Sequence, residues 1–318
     1  MKRTRLGSLL EVEYPIIQAA IPWVSNPELS AAVSNAGALG SITPTSELAV
    51  GGDILKNFRG LIHKTRNITD KPFGAGLHLL DPQIEQLIAI AVEEGVRVVI
   101  TSGGSPAVYT GYLKDKGVTV LHLVSSVRHA RAAEAHGVDA VIAEGVEGGG
   151  VLGREELSTL ILIPQVVQAI SIPVIASGGI TDGKGLVASR ALGAQGVYIG
   201  TRFLASHECI AHTKYKEAIL KAIDTSTRIV GRYHLPARVL KTSTSVKVDQ
   251  GPGEGALEVE WEALFGSEFS RAGFVDGDLD GGLVHLGASS GIVSDILGAA
   301  EIVEKMVREA DSILTKLR

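Results

Sequence analysis

Cysteine, aromatic rings, long apolar runs and excess positive charge are all scarce in this chain, and each scarcity removes a class of protein. Cys209 is the only cysteine among 318 residues. That excludes a disulfide framework and a thiolate metal cluster, and it fits a reducing cytosol, so a cytoplasmic location is expected. The histidines do not cluster either, so no metal site is expected. Aromatics are only 4% of the chain, so aliphatic packing must fill the core. No apolar run approaches the roughly 18 residues of a membrane span. The basic start Lys2-Arg3-Thr4-Arg5 is followed too soon by Glu11 and Glu13 for a signal peptide. Net charge is −5, with lysines and arginines scattered, which argues against a nucleic-acid partner.

Glycine, by contrast, is abundant at 38 residues, many of them at the ends of short apolar runs. Such runs, read as buried parallel strands, fall at 16–20, 38–41, 73–77, 96–101, 118–124, 140–143, 173–176 and 196–199. Helical patterns lie between them, clearest at 26–35, 81–94, 127–136 and 182–192. Asn26-Pro27 and Asp81-Pro82 read as helix starts, a capping side chain followed by proline. Eight alternations predict an α/β fold, a TIM (β/α)8 barrel, over an open doubly wound sheet. The glycine fingerprint of a dinucleotide fold after the first strand is also missing.

The alternation lapses from about 223 to 284, where Gln250-Gly-Pro-Gly-Glu-Gly255 and Asp276-Gly-Asp-Leu-Asp-Gly-Gly282 occur with a short helical piece at 257–265. The expected organisation is a barrel over 1–222, a small insertion over its mouth at 223–288, and a C-terminal segment at 289–318 packing back. An amphipathic helix pattern spans 292–317 within that last segment.

Two glycine-rich turns stand about twenty residues apart, Ser177-Gly178-Gly179-Ile180 and Gly200-Thr201-Arg202-Phe203. They follow the last two barrel strands, where bare backbone N–H groups commonly hold a phosphate. Thr101-Ser102-Gly103-Gly104 ends the fourth strand, and Gln18-Ala19-Ala20 and Gly37-Ala-Leu-Gly40 flank the first two. Small residues at so many strand ends leave room for something large and planar. Glu144 directly follows the sixth strand and is a ligand-binding candidate, whereas Glu147 reads as a solvated loop residue. Among histidines, His78 falls at the expected catalytic rim and His122 in the fifth strand, each with a structural role as the alternative. No strand ends in lysine, which argues against a Schiff-base aldolase.

Taken in order, Tyr14-Pro-Ile-Ile-Gln18-Ala, Ala36-Gly-Ala-Leu-Gly40, Phe73-Gly74, Thr101-Ser-Gly103-Gly104-Ser-Pro106, Glu144-Gly145-Val-Glu147-Gly-Gly149, Ala176-Ser-Gly178-Gly179-Ile-Thr-Asp-Gly183 and Gly200-Thr201-Arg202-Phe203 make the chain resemble the nitronate monooxygenase (2-nitropropane dioxygenase) family. That family also contains FMN-type enoyl-ACP reductases and NADH:quinone reductases. The resemblance implies non-covalent FMN, with its phosphate on Gly179, Gly200 and Thr201 beside Ser177 and Gly178. It places the flavin ring near Gln18, Ala19, Gly40 and Gly103, with Glu144 close by. The implied reaction takes an alkyl nitronate and O2 to a carbonyl compound and nitrite. The family's catalytic histidine after Gly149-Gly150 is here Val151, and Ala20, Gly76 and Ala288 also depart from the pattern. Valine cannot accept a proton. Two other readings therefore stand: an NAD(P)H-dependent FMN reductase acting on a quinone or enoyl thioester, and a flavin-binding protein without catalysis. His122 and His78 are the remaining candidates for a catalytic imidazole. The expected partner is a small-molecule substrate, with a homodimer as the further option.

Overall fold

The computed structural model describes residues 4–251 and 270–317. Its main sheet holds β1 (Ile16–Gln18), β2 (Gly40–Ile42), β3 (Phe73–His78), β4 (Val98–Ser102), β5 (Thr119–Val124), β6 (Ala140–Glu144), β8 (Val174–Ser177) and β9 (Gly196–Ile199). These eight run parallel in the order β1-β9-β8-β6-β5-β4-β3-β2. A parallel bridge from Ile17 to Leu39 joins β1 to the start of β2 and closes the ring. The result is a TIM barrel.

Alternation along each strand divides the apolar residues into two cores. Ile17, Leu39, Val98, Ile100, Leu121, Ile142, Ile175 and Tyr198 fill the barrel interior. Val99, Val120, Val141, Val174 and Val197 belong to the outer core beneath the helices. Because both faces are buried, the strands read as continuous apolar runs, and sequence alone could not say which residue faced which way. Helix α1 (Arg5–Leu9) and its C-cap supply Leu6 and Leu10 to the interior cluster. A Cβ on Gly196, the first residue of β9, would stand 2.4 Å from Leu6, so α1 stoppers the end where the strands begin.

The outer layer is α2 (Pro27–Asn35), α3 (Ile54–Ile68), α4 (Ile84–Glu93), α5 (Thr110–Asp115), α6 (Val127–Ala135), α7 (Thr159–Ala169) and α8 (Gly183–Ala191). Two expected starts differ in detail. Asn26 stands before α2 but its side chain makes no capping bond there, and its amide donates instead to Glu28 at 2.7 Å and to the Glu208 carbonyl at 3.1 Å. Asp81 accepts from the Gln83 N–H in a turn, and α4 begins only at Ile84.

Beyond the barrel, after α9 (Thr201–Leu204) and α10 (Thr213–Leu220), come β10 (Thr227–Val230), β11 (Ala237–Leu240) and α11 (Ser243–Gln250). β10 and β11 form a small sheet whose third strand is β7 (Gly150–Val151), from the loop after β6. The small sheet therefore recruits part of the barrel segment, which the sequence reading missed because a two-residue strand carries no periodicity. Val230, Ala237, Val239, Val248 and Leu283 make its core. The expected helical piece at 257–265 lies outside the described residues.

The C-terminal helix α12 is Ala299–Lys316 and starts later than the pattern suggested. Residues 288–292 form a 3-10 turn, and Asp295 is drawn to Arg202 at 2.6 Å, so a continuous helix cannot form there. Ile302, Val303, Met306 and Ala310 bury the inner face of α12 against the barrel.

Candidate active site at the barrel mouth

The alternation that places Ile142 and Ile175 inside the barrel also turns the last residues of their strands, Glu144 and Ser177, inward at the mouth. Ser177 Oγ donates to Glu144 Oε1 at 3.3 Å. Gly148 closes over the carboxyl, since a Cβ there would stand 2.5 Å from the same oxygen. Burial pushes the Glu144 pKa up to about 7, against the pull of the Ser177 hydroxyl. Opposite, Ala19 belongs to the interior cluster, and the Tyr198 hydroxyl accepts from the Ala20 N–H at 2.8 Å to fix the end of β1. On β3, His78 shares its face with Gly74 and Gly76 and reaches the exposed rim. Its Nε2 would stand 2.5 Å from a Cβ on Gly103, so the ring rests on that glycine. Desolvation lowers the His78 pKa, although Asp81 pulls the other way.

The two glycine turns stand side by side because β8 and β9 are neighbours. Gly178 and Gly179 have φ of 96° and 76°, conformations that other residues rarely adopt. A Cβ on Gly178 would meet the Gly145 carbonyl at 2.8 Å. One on Gly179 would meet Glu147 Cβ at 3.2 Å, and one on Gly200 would meet Ile21 Cδ1 at 3.3 Å. Thr201 and Arg202 are the first two residues of α9, so their N–H groups have no partner within that helix. Bare backbone on both turns with N–H groups left over suits a phosphate, and the residues present fit that end of FMN.

The structure brings together Ala19, His78, Gly103, Glu144, Ser177, Gly178, Gly179, Gly200 and Thr201, and it separates three other candidates from them. Gln18 faces outward and is used up structurally: its Oε1 accepts from Ser41 N at 2.8 Å and its Nε2 donates to Ser25 Oγ at 3.0 Å. Gly40 also faces outward. A Cβ there would stand 1.9 Å from the Ser30 carbonyl, so its glycine serves the approach of α2, not a ring. His122 shares its face with Val120 and Val124 beneath the helices, where Nδ1 meets Thr101 Oγ1 at 2.8 Å. Desolvation, with His129 adding to it, lowers the His122 pKa to about 4. Its surroundings are those of a core histidine.

Three further motif residues have structural partners of their own. Arg202 is buried and donates to Asp295 and to the Ala205 carbonyl at 2.9 Å. Burial works against the Asp295 carboxylate, but bonds from Lys305 and Arg202 hold it below its usual range. Glu147 is no solvated loop residue, for its carboxylate accepts from both the N–H and the hydroxyl of Thr159 at 2.9 Å. Val151 lies on β7, 52% exposed, paired with Ala237 at the edge of the small sheet. The sequence reading passed over His285, whose Nε2 meets Ser270 Oγ at 2.8 Å while its buried Nδ1 has no partner among the described residues. A Cβ on Gly150 would stand 3.8 Å from that Nδ1. Only the return of 283–288 alongside β11 brings it there, and no local signal announces that.

A barrel with paired glycine turns and a carboxyl at its mouth suits a cofactor-dependent oxidoreductase. The family model described as nitronate monooxygenase matches residues 3–309, and the chain belongs to that family, as an FMN-dependent oxidoreductase. It is 31% identical to "(3aS,4S,5R,7aS)-5-hydroxy-7a-methyl-1-oxo-octahydro-1H-indene-4-carboxyl-CoA dehydrogenase" of Mycobacterium tuberculosis, over 97% of this chain and 96% of that one. It is 30% identical to a nitronate monooxygenase of Paraburkholderia phytofirmans, over 98% and 96%. Among solved structures, FabK from Thermotoga maritima matches with a TM-score of 0.92 and 39% identity, covering 100% of this chain and 99% of that one.

Proposed function

We propose that the protein is an NAD(P)H-dependent FMN reductase whose substrate is an enoyl thioester. The observation that carries this reading is the mouth itself: Glu144 ends β6 on its inward face, and His78 ends β3 on its inward face with its ring on Gly103. The full-length likeness to FabK and the acyl-CoA named for the M. tuberculosis relative support the same substrate class.

FMN, when bound, supplies the two-electron carrier between the nicotinamide donor and the substrate. In this reading Gly179, Gly200 and Thr201 hold its phosphate, and Ala19 and Gly103 leave flat space for its ring. Glu144, with its pKa near 7, holds or releases a proton at neutral pH at the oxygen beside Ser177. His78, its pKa lowered by desolvation, offers a ring N–H to a carbonyl at the rim. A second reading, nitronate oxidation, is favoured by the family description and by the P. phytofirmans relative. A pre-formed nitronate makes little demand on a base, whereas a neutral nitroalkane does.

Anaerobic mixing with NADH or NADPH followed by crotonyl-CoA or a quinone, and separate aerobic mixing with a nitronate, distinguishes the readings. Consumption of the nicotinamide with loss of the enoyl double bond supports the proposal. Quinone reduction alone moves the substrate class, and fast nitrite release with no nicotinamide oxidation defeats it.

A further inference from the structure

The carboxylate of Glu147 is placed where it can set the shape of both phosphate turns. Its Oε2 accepts from the Thr159 N–H and hydroxyl at 2.9 Å each. Thr159 opens α7, and its Oγ1 also stands 2.9 Å from the Gly178 carbonyl and 3.2 Å from that of Ser177. A hydroxyl has one proton to donate, so what Glu147 does at Thr159 governs the contact with the first turn. A Cβ on Gly179 would touch Glu147 Cβ at 3.2 Å, so the Glu147 side chain packs directly beneath the left-handed turn. The backbone of the same residue reaches the second turn. The Glu147 carbonyl accepts from Ala288 N at 2.9 Å, and the preceding Gly287 N–H donates to Thr201 Oγ1 at 3.2 Å. Arg238 Nε, from β11, holds the neighbouring Val146 carbonyl at 2.8 Å.

We propose that Glu147 is a positioning residue for the cofactor phosphate, clamping Thr159 against the Gly178-Gly179 turn while its backbone carries the crossing that reaches Thr201. This rests on the reading that the two turns hold the phosphate. Glu147 acts through Thr159 and Gly178 and needs no contact with the cofactor. Glutamine at this position can still accept from the Thr159 N–H, and its amide can donate to Oγ1, which frees the Thr159 proton for the Gly178 carbonyl. Alanine can do neither.

The test measures FMN affinity by quenching of flavin fluorescence and, separately, the melting temperature of the FMN-free protein, in Glu147→Ala, Glu147→Gln, Thr159→Val, Thr159→Ser and Gly179→Val. Glu147→Ala and Thr159→Val are each expected to weaken FMN at least tenfold, and the double variant no more than either alone. Glu147→Gln and Thr159→Ser should stay within threefold of the native protein. Native affinity in Glu147→Ala, with Gly179→Val weakened, overturns the positioning role and leaves the phosphate turns standing. Native affinity in both overturns the turns as the phosphate site, and the role of Glu147 with them. Multiplicative losses in the double variant, or a fall in Glu147→Gln equal to that in Glu147→Ala, also overturn the clamp. A drop in FMN-free melting temperature that matches the affinity loss across all variants would reduce Glu147 to general stability.

Discussion

Glycine at position 40 and histidine at position 122 show how residue identity misleads when orientation is hidden. Both lie on buried strands, and both turn toward the helices. At Gly40 a methyl group would be driven into the Ser30 carbonyl of α2, which is backbone and cannot swing aside. Gly40→Ala is therefore expected to cost about 3 kcal/mol or more, seen in urea unfolding, while any FMN retained binds with native affinity. His122 makes a different prediction. Its pKa is near 4 in the folded chain against 6.5 for an unperturbed histidine, so between those values the unfolded state binds the extra proton. Stability should fall as pH drops from about 6.5 to 4, by up to about 3 kcal/mol from this group. His122→Asn should flatten that slope in unfolding measured across the window. Raised Glu144 works in the opposite sense: its folded form takes up protons first, so acidification through about 7 favours folding at that site. Alternation along the strands groups the site residues but does not say which group faces in. Glu144, Ser177 and His78 follow the parity of Ile142, Ile175 and Gly76. What the sequence withheld was which parity faced in, since valine and isoleucine occupy both.

At the scale of elements, every expected barrel strand forms, because β-branched runs ending at glycine fit nothing else so well between amphipathic helices. The legible part stops at the small sheet. β7 is two residues long, β10 and β11 are four each, and none alternates long enough to be seen against its neighbours. The Glu147 network escaped for the same reason, for it joins residues from three loops that only the closed barrel brings together. Helix α12 was visible by its apolar stripe but not by its start, which the Arg202–Asp295 pair decides. That helix packs on α8, where Glu309 accepts from the Gly183 N–H at 3.0 Å and so caps a helix beside the Gly178-Gly179 turn. Ile302, 1% exposed, lies on its inner face. Ile302→Ala should cost about 2–5 kcal/mol, measurable by chemical unfolding of the FMN-free protein.

For the whole molecule, ligand binding and folding are linked, since only the closed barrel brings the two turns side by side. If those turns hold FMN, the cofactor at a hundred times its dissociation constant should add about 2.7 kcal/mol of stability, seen as a rise of several degrees in melting temperature that grows with FMN concentration. Gly179→Val should abolish the rise, and an equal rise in that variant would place the phosphate elsewhere. Riboflavin, which lacks the phosphate, should give a much smaller one.

The crossing at residues 287–288 ties one amide to Thr201 and the next to the Glu147 carbonyl, on two separate loops of the barrel. Neither end can lift while the other holds, so the return of the insertion and the two barrel loops open as one cooperative unit. In deuterated water the amides of Gly287 and Ala288 should then show a common protection factor, set by that single opening and not by their individual exposure.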